Sequence, residues 1–230
     1  CMIQVTADVL TVGPNQQFTS IQSAIDAAEH FDDIIVHCGI YNESIQILKP
    51  LNLYGEPGCT ILTNSFDNDI LTISANNCTI SGFTIKNCIN ESYSGLYILS
   101  DGNTIINNNF INNSGWGIYI YHCSQNILLN NSFTNDGICM VGTKDEWLSM
   151  NVTGNTVHGN PLLWLKNHHS QTIHNSSIGQ LILVNCTNCL IENITISETD
   201  QGIVFAYTSN STITDSILQN CRFGIRLQYA

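Results

Sequence analysis

The chain has 230 residues, a formal net charge of −12 and only six Lys and Arg residues. So few basic groups cannot neutralise a phosphate backbone, which excludes nucleic acid as a partner. Apolar residues make up 43% of the chain, enough for a folded core, while charged residues make up only 10%. Asn, Ser and Thr therefore dominate the surface. No apolar run reaches the roughly 18 residues of a membrane-spanning helix, so we expect no membrane span.

The first 33 residues predict one amphipathic helix. In "FTSIQSAIDAAEHF", Thr19 or Ser20 is the cap candidate. The apolar residues that follow share one helical face: Ile21, Ala24, Ile25 and Ala28. We expect residues 1–33 to form an N-terminal segment whose helix covers the open end of the domain that follows.

Residues 34–230 repeat a short pattern, Gly-apolar-x-apolar, which begins at Gly95, Gly117, Gly137, Gly202 and Gly224. If "NPLLWL" at Asn160 and "QLIL" at Gln180 are degenerate copies, the period is about 22 residues. Each unit adds a second short apolar run after an Asn or Thr turn, which predicts strands and no helix. The sequence thus predicts an all-β fold, a single-stranded right-handed parallel β-helix of about 22 residues per rung, as one continuous domain over 34–230. No comparable cap is visible at the C-terminal end.

The asparagines agree with this prediction. Asn tolerates the left-handed backbone of sharp turns, and stacked Asn side chains hydrogen-bond along a column. Asn-x-Ser/Thr sequons make ten of them glycosylation candidates: Asn42, Asn77, Asn90, Asn112, Asn130, Asn151, Asn175, Asn185, Asn193 and Asn210.

Ten cysteines favour an oxidising compartment and are the disulfide candidates: Cys1, Cys38, Cys59, Cys78, Cys88, Cys123, Cys139, Cys186, Cys189 and Cys221. Counted within the rungs, residues that share a position, such as Cys123 and Cys186, are not in neighbouring rungs. Disulfides between adjacent rungs are therefore not indicated. We expect an exported, cell-surface protein in its mature form, with the signal peptide removed. A disulfide at Cys1 is preferred over a lipid anchor there.

Two stretches carry a family resemblance. The segment "FTSIQSAIDAAEHFDDIIVHCGIYNESIQILKPLNLYG" resembles the entry of pectin-lyase-like β-helix proteins. The part from "NTVHGNPLLWL" to "DSILQNC" is similar to NosD-type repeat proteins, right-handed β-helices named after a periplasmic copper-site accessory and found in archaeal surface proteins. The resemblance covers nearly the whole chain and implies the fold, which hosts lyases, hydrolases, esterases, adhesins and structural proteins.

No catalytic residue is assigned, and we expect the protein not to be an enzyme. Pectate-lyase-like elimination needs an arginine base beside clustered carboxylates, but Arg222 and Arg226 lie in the last rung without such a cluster. Asp200, in "TDQGIVF", is similar to the acidic strand of polygalacturonases. Because the partner motifs of that family are missing, we interpret Asp200 as a solvated turn residue.

Metal binding rests on four histidines within one region, His158, His168, His169 and His174, since imidazole is a suitable copper ligand. Their spacing fixes no coordination geometry. The pair Cys186 and Cys189 lacks the second pair that a zinc site requires. We expect no cofactor, with copper and calcium kept as alternatives.

Three functions remain, in order of preference. The first is a non-catalytic extracellular structural module that self-associates, or binds other surface proteins, in a surface layer, sheath or filament. The second is a carbohydrate-binding or carbohydrate-active β-helix with polysaccharide as partner; packing is the preferred role of its candidate stacking residues, Trp116, Tyr119, Tyr121, Trp147 and Trp164. The third is a NosD-like copper-handling accessory.

Overall fold

The computed structural model describes residues 7–174 and 177–229, which form a β-solenoid of about 10 turns with parallel strands and two helices. The predicted fold class is confirmed, as is the spacing of about 22 residues per rung. The domain boundaries at residues 33 and 34 stay a prediction. Among the described residues, neither helix has the length and apolar character needed to cross a bilayer.

The first stack is a three-sided coil in which each rung gives one strand to each of three sheets. Sheet 1 contains β1 (Val9–Val12), β2 (Asp33–Val36), β5 (Asn52–Gly55), β8 (Thr79–Ser81), β11 (Thr104–Ile106), β14 (Ile127–Leu129) and β17 (Asn151–Thr153). Sheet 2 contains β4 (Ile45–Ile47), β7 (Leu71–Ile73), β10 (Ser94–Ile98), β13 (Trp116–Tyr121) and β16 (Ile138–Val141). Sheet 3 begins with β3 (Gly39–Asn42), β6 (Thr60–Thr63), β9 (Thr84–Lys86), β12 (Asn109–Ile111), β15 (Ser132–Thr134) and β18 (Thr156–Val157).

The predicted helix closes the N-terminal end of this coil. Helix α1 (Ile21–Ala27) begins after Ser20, whose side chain accepts a hydrogen bond from the Ser23 N–H at 3.3 Å. Glu43 supplies a second cap, because its carboxylate accepts the N–H groups of Ile21 at 2.9 Å and Gln22 at 3.0 Å. The apolar face of α1 packs on β1, β2 and β4, as its periodicity predicts.

The stack reverses direction after β18. The two-residue turn of His158 and Gly159 has positive φ at both positions, 48° and 78°, which is the geometry of a tight hairpin. Strand β19 (Asn160–Lys166) consequently pairs antiparallel with β18 and starts a second stack. Its strands are β20 (Thr172–His174), β21 (Gln180–Val184), β22 (Leu190–Glu192), β23 (Thr195–Ser197), β24 (Gln201–Ala206), β25 (Thr212–Thr214), β26 (Ile217–Gln219) and β27 (Phe223–Gln228).

The second stack lies along the side of the first, so its central strands are buried on both faces. In β21, Leu181 and Leu183 point into the core of the second stack, whereas Ile182 and Val184 join the core cluster of the first. All six residues of β24 are buried in the same manner. The 22-residue period continues through the reversal, which is why the repeat alone does not indicate it.

Helix α2 (Lys144–Ser149) interrupts the strand pattern, so the prediction of strands and no helix is wrong for this unit. Thr143 and Glu146 form a capping box, with the Thr143 N–H donating to the Glu146 carboxylate at 2.6 Å. The helix places Trp147 in the core, stacked on Trp164 with 5.1 Å between ring centroids. Both aromatic rings therefore serve packing.

Columns of buried asparagine join the rungs at the corners, as predicted. The Oδ1 atom of Asn131 accepts the backbone N–H of Asn108 at 3.0 Å, and its own N–H donates to Oδ1 of Asn155 at 2.9 Å. Its Nδ2 donates to the Ile105 carbonyl at 2.9 Å. Each buried corner amide, which no strand satisfies, thus finds a side chain of the next rung.

Replacing one column member tests this role. Asn131→Ala leaves the Asn108 N–H and the Ile105 carbonyl buried without these partners, so we expect the free energy of unfolding to fall by about 3 kcal/mol. Asn151→Ala is the control, since Asn151 is exposed in β17, and should cost under about 0.5 kcal/mol. Urea unfolding followed by circular dichroism measures both. Equal losses in the two variants would contradict a structural role specific to the column.

Candidate functional site

The two stacks meet through a buried aspartate. Oδ2 of Asp200 accepts the backbone N–H groups of Gly117 at 2.9 Å and Gly137 at 2.8 Å. Glycine is required at 137 because a Cβ atom there would lie 2.7 Å from Oγ1 of Thr199. Asp200 is only 4% exposed, so its interpretation as a solvated turn residue is wrong. The contact with the second stack thus partly explains why the repeat has glycine at positions 117 and 137.

A second aspartate lies beside it at the end of an asparagine column. Asp136, fully buried, accepts the backbone N–H of Asn113 on Oδ1 at 2.9 Å and the Asn113 amide on Oδ2 at 2.8 Å. Burial and then the Asp200 charge raise the pKa of Asp136 to about 8. Burial also raises the pKa of Asp200 to about 7, although the Gly117 and Gly137 amides and Arg222 oppose the shift. The pair therefore retains protons at weakly acidic pH, where exposed carboxyls are already ionised.

Arg222 forms one wall of a cleft beside Asp200. Its guanidinium donates to the carbonyls of Ser114 at 2.9 Å and Glu91 at 3.1 Å, and it lies 4.5 Å from the ring centroid of Trp116. The cleft has a volume of about 460 Å³ and a polar lining: Glu91, Asn113, Ser114, Asn135, Glu198, Thr199, Asp200, Asn220 and Arg222. Arg222, in the last rung of the second stack, thus binds two neighbouring rungs of the first stack, those that contain β10 and β13.

Further along the interface, Arg226 donates to Sγ of Cys139 at 2.8 Å. The side chain of Gln180 binds both main-chain groups of Ile138, accepting its N–H at 2.9 Å and donating to its carbonyl at 2.7 Å. Burial raises the pKa of the Cys139 thiol to about 11 even beside arginine, so the thiol stays protonated at neutral pH and is a poor nucleophile.

The four predicted metal-ligating histidines do not come together. His158 contacts Asn135 at 3.1 Å and Glu198 at 3.5 Å, and Nδ1 of His169 lies 2.7 Å from Oγ1 of Thr187. His168 is partly buried and His174 is exposed elsewhere on the second stack. In the described ranges, the one group of three or more candidate ligands within 4.8 Å is Cys38, Glu56 and Cys59. Copper binding by the histidines stays untested.

The cysteines form one bridge in the described chain. Cys38 and Cys59, 21 residues apart, are joined by a disulfide between adjacent rungs, which the register analysis did not indicate. That analysis compared columns within the regular repeat and missed the irregular entry rungs. Seven cysteines are free thiols, namely Cys78, Cys88, Cys123, Cys139, Cys186, Cys189 and Cys221. Cys1 lies outside the described residues.

Nine of the ten sequon asparagines lie within the described chain, and Asn175 lies outside it. Seven are exposed: Asn42, Asn77, Asn112, Asn130, Asn151, Asn193 and Asn210; Asn90 and Asn185 are partly buried. Six have the predicted left-handed backbone: Asn77, Asn112, Asn130, Asn185, Asn193 and Asn210. Their glycosylation stays a prediction.

The candidate stacking residues are mostly engaged. Besides the buried Trp147 and Trp164, Trp116 stacks on Phe223 at 5.8 Å while Arg222 contacts its ring. Tyr119 is half-buried and stacks on Tyr97 at 5.2 Å. Tyr121 is 40% exposed. These contacts agree with packing as the main role of the aromatic residues.

Comparison with known proteins gives two family matches. The family described as "Right handed beta helix region" matches residues 35–178. The chain belongs to this β-helix family. The family "Periplasmic copper-binding protein (NosD)" matches residues 150–230, which include the whole second stack.

This β-helix protein is also similar to a cell surface glycoprotein of Methanothermus fervidus, with 37% identity over 105 residues. The match covers 44% of the chain but only 17% of the glycoprotein. Among solved structures, pectin methylesterase PemA from Erwinia chrysanthemi is 12% identical, with 91% of this chain and 81% of that chain covered and a TM-score of 0.49. An alginate lyase from Paenibacillus sp. str. FPU-7 is 13% identical, with 96% and 98% covered and a TM-score of 0.41.

The aspartate pair predicts an unusual pH dependence. Carboxyls whose pKa is higher in the folded state stabilise it at low pH, and this stability is lost as the pH rises from about 4 to about 8. Asp136→Asn removes one such carboxyl and its repulsion of Asp200, so we expect a smaller loss of stability over this range. Urea midpoints at a series of pH values measure it.

The exposed Asp145 of α2 supplies the control, and Asp145→Asn should keep the pH dependence of the parent chain. If Asp136→Asn and the parent lose stability equally between these pH values, the raised pKa of the pair is contradicted.

Proposed function

We propose that this protein is a non-catalytic structural module of a cell surface. The carrying observation is that three polar side chains of the second stack bind main-chain groups of the first. Asp200 binds two glycine amides, Gln180 binds both polar groups of Ile138, and Arg222 binds carbonyls of two rungs. Such contacts hold two solenoids side by side as one stiff unit. The similarity to a cell surface glycoprotein supports the location.

The last described strand supports self-association as part of this function. In the second stack, Ile225 and Leu227 of β27 continue the core columns of Ile203 and Phe205, yet they are 49% and 67% exposed. In a β-helix such side chains are covered by a further rung, so this edge is where the next strand, from the same polypeptide or from a second copy, would pair. An edge of this kind is a template for pairing with another strand.

For the 230-residue chain in solution, a second copy is the proposed occupant of that edge. Head-to-tail stacking would need an open end on the other side, but α1 covers the N-terminal end of the first stack. Two copies of β27 can instead pair antiparallel across a two-fold axis, which brings both apolar ends together. The geometry therefore favours a closed pair over a filament.

Light scattering during size-exclusion chromatography tests the pairing. We expect the 230-residue chain to form a dimer and Leu227→Lys to shift it at least about tenfold toward monomer, since the variant places two charges in an apolar contact. Leu48→Lys is the matched control, because Leu48 is 71% exposed but lies outside β27. A parent chain that remains monomeric at high concentration would contradict self-association, and so would equal effects of the two variants.

Carbohydrate binding is the second candidate, favoured by the polar cleft beside Arg222. Guanidinium and amide groups suit the carboxylate and hydroxyl groups of uronate polymers. Titration calorimetry with polygalacturonate, on the parent chain and on the cleft variant Asn220→Ala, measures binding. If the structural proposal is correct, no binding is detected and incubation releases no unsaturated sugars. Binding or product release that weakens in Asn220→Ala would establish the carbohydrate function instead.

A further inference from the structure

The entry rungs bring together four residues with metal-binding side chains, far from the contact between the stacks. Cys38 and Cys59 immediately precede β3 and β6, which are parallel neighbours, so the two sulfur atoms stack. The Glu56 carboxylate lies beside them, with Oε2 at 2.8 Å from Sγ of Cys38 and 3.9 Å from Sγ of Cys59. His37 contacts the other oxygen, with Nδ1 at 2.8 Å from Oε1.

Several fixed contacts hold this carboxylate in place. Its Oε2 atom accepts the Cys38 N–H at 2.9 Å, while the backbone N–H of Glu56 donates to Oγ1 of Thr60 at 2.9 Å. The same oxygen lies against both sulfur atoms, which as a disulfide carry no proton to donate. Two thiols or a cation would give this oxygen a second partner beside the Cys38 N–H.

Disulfide bonding is confined to one pair among the cysteines of residues 7–174 and 177–229. Seven of the nine described cysteines are free thiols, and only Cys38 and Cys59 are bonded. These two lie at turns where Cys38 is exposed and Cys59 is partly exposed, so a small-molecule thiol can reach them. Reduction by two equivalents of such a thiol yields two cysteine thiols and one disulfide of the reductant.

We propose that, in the reduced chain, Cys38, Cys59 and Glu56 bind a thiophilic divalent cation of the zinc class. Two thiolates and a carboxylate are ligands that Zn²⁺ accepts, and the exposed position of the group leaves a fourth place for water. Binding displaces both thiol protons to solvent. His37 is a positioning residue that fixes the carboxylate through Oε1. Either the disulfide or the cation would then tie the first two rungs together beneath α1.

Metal titration of the chain in both redox states tests the proposal. After reduction with a phosphine and removal of the reductant, we expect about one equivalent of Zn²⁺ in native mass spectra, with about two protons released per cation near neutral pH. Co²⁺ should give the near-ultraviolet charge-transfer absorption of a thiolate ligand. The oxidised chain should take up neither cation, because its sulfurs are bonded to each other.

Matched variants separate the roles of the four residues. The double variant Cys38→Ser/Cys59→Ser should lose uptake and the thiolate absorption, whereas Cys221→Ser, a free thiol of the second stack, should bind as the parent does. His37→Ala should keep the absorption but bind at least about tenfold more weakly. Circular dichroism confirms that each variant is folded. Lack of uptake by the reduced parent, or uptake that persists in the double variant, would overturn the proposal.

Discussion

The stacked corner is the constraint on which this structure depends. A coil must turn three times per rung, and each turn buries amide groups that the sheets cannot satisfy. The chain meets this demand with asparagine on both sides of the turn. One asparagine takes the left-handed backbone, as at Asn107 and Asn130, and the next lies buried in a column, as Asn108 and Asn131 do. The asparagine columns therefore have the same spacing as the strands, because the side-chain oxygen of each buried asparagine must accept a backbone N–H of the rung before it.

Asp136 and Asp200 meet the same demand for hydrogen-bond partners at the contact between the two stacks. Asp136 takes the place of the next asparagine after Asn113, and like an asparagine it accepts the amide of the rung before it. It adds charge, however, where Asp200 of the second stack approaches, and burial makes ionisation of both unfavourable. Asp200 in turn takes up two glycine amides. The interface therefore uses the hydrogen bonds of the corner columns, with carboxyls in the place of amides.

The sequence predicted the features that are local or periodic. The helical spacing of Ile21, Ala24 and Ile25 predicted helix α1. The Gly-apolar-x-apolar repeat predicted the strands up to Gly224, including the degenerate copies at Asn160 and Gln180. Helix α2 was missed although Thr143 and Glu146 form a recognisable capping box, because the repeat count absorbed it. The reversal was missed for a deeper reason, since a hairpin at His158 and Gly159 leaves the 22-residue period unchanged.

The burial of Asp200 could not be deduced from its neighbours, because it depends on contacts 63 and 83 residues away in sequence. One signal does precede such a contact. The runs "QLILV" and "QGIVFA" lack the alternation of the other strands, and a strand that is apolar on both faces must be covered on both. Together with Asp200, which precedes "QGIVFA", these runs indicate that a second layer covers the strands, but they do not identify that layer.

The reversal also determines the direction in which the second stack advances along the first. Gln180 contacts the rung of Ile138, Asp200 the rungs of Gly137 and Gly117, and Arg222 the carbonyls at Ser114 and Glu91. The second stack therefore advances toward the N-terminal end of the first, and each of its rungs lies against one already formed. A strand added at β27 would continue the order β21, β24, β27 and advance further toward the N-terminal end of the first stack.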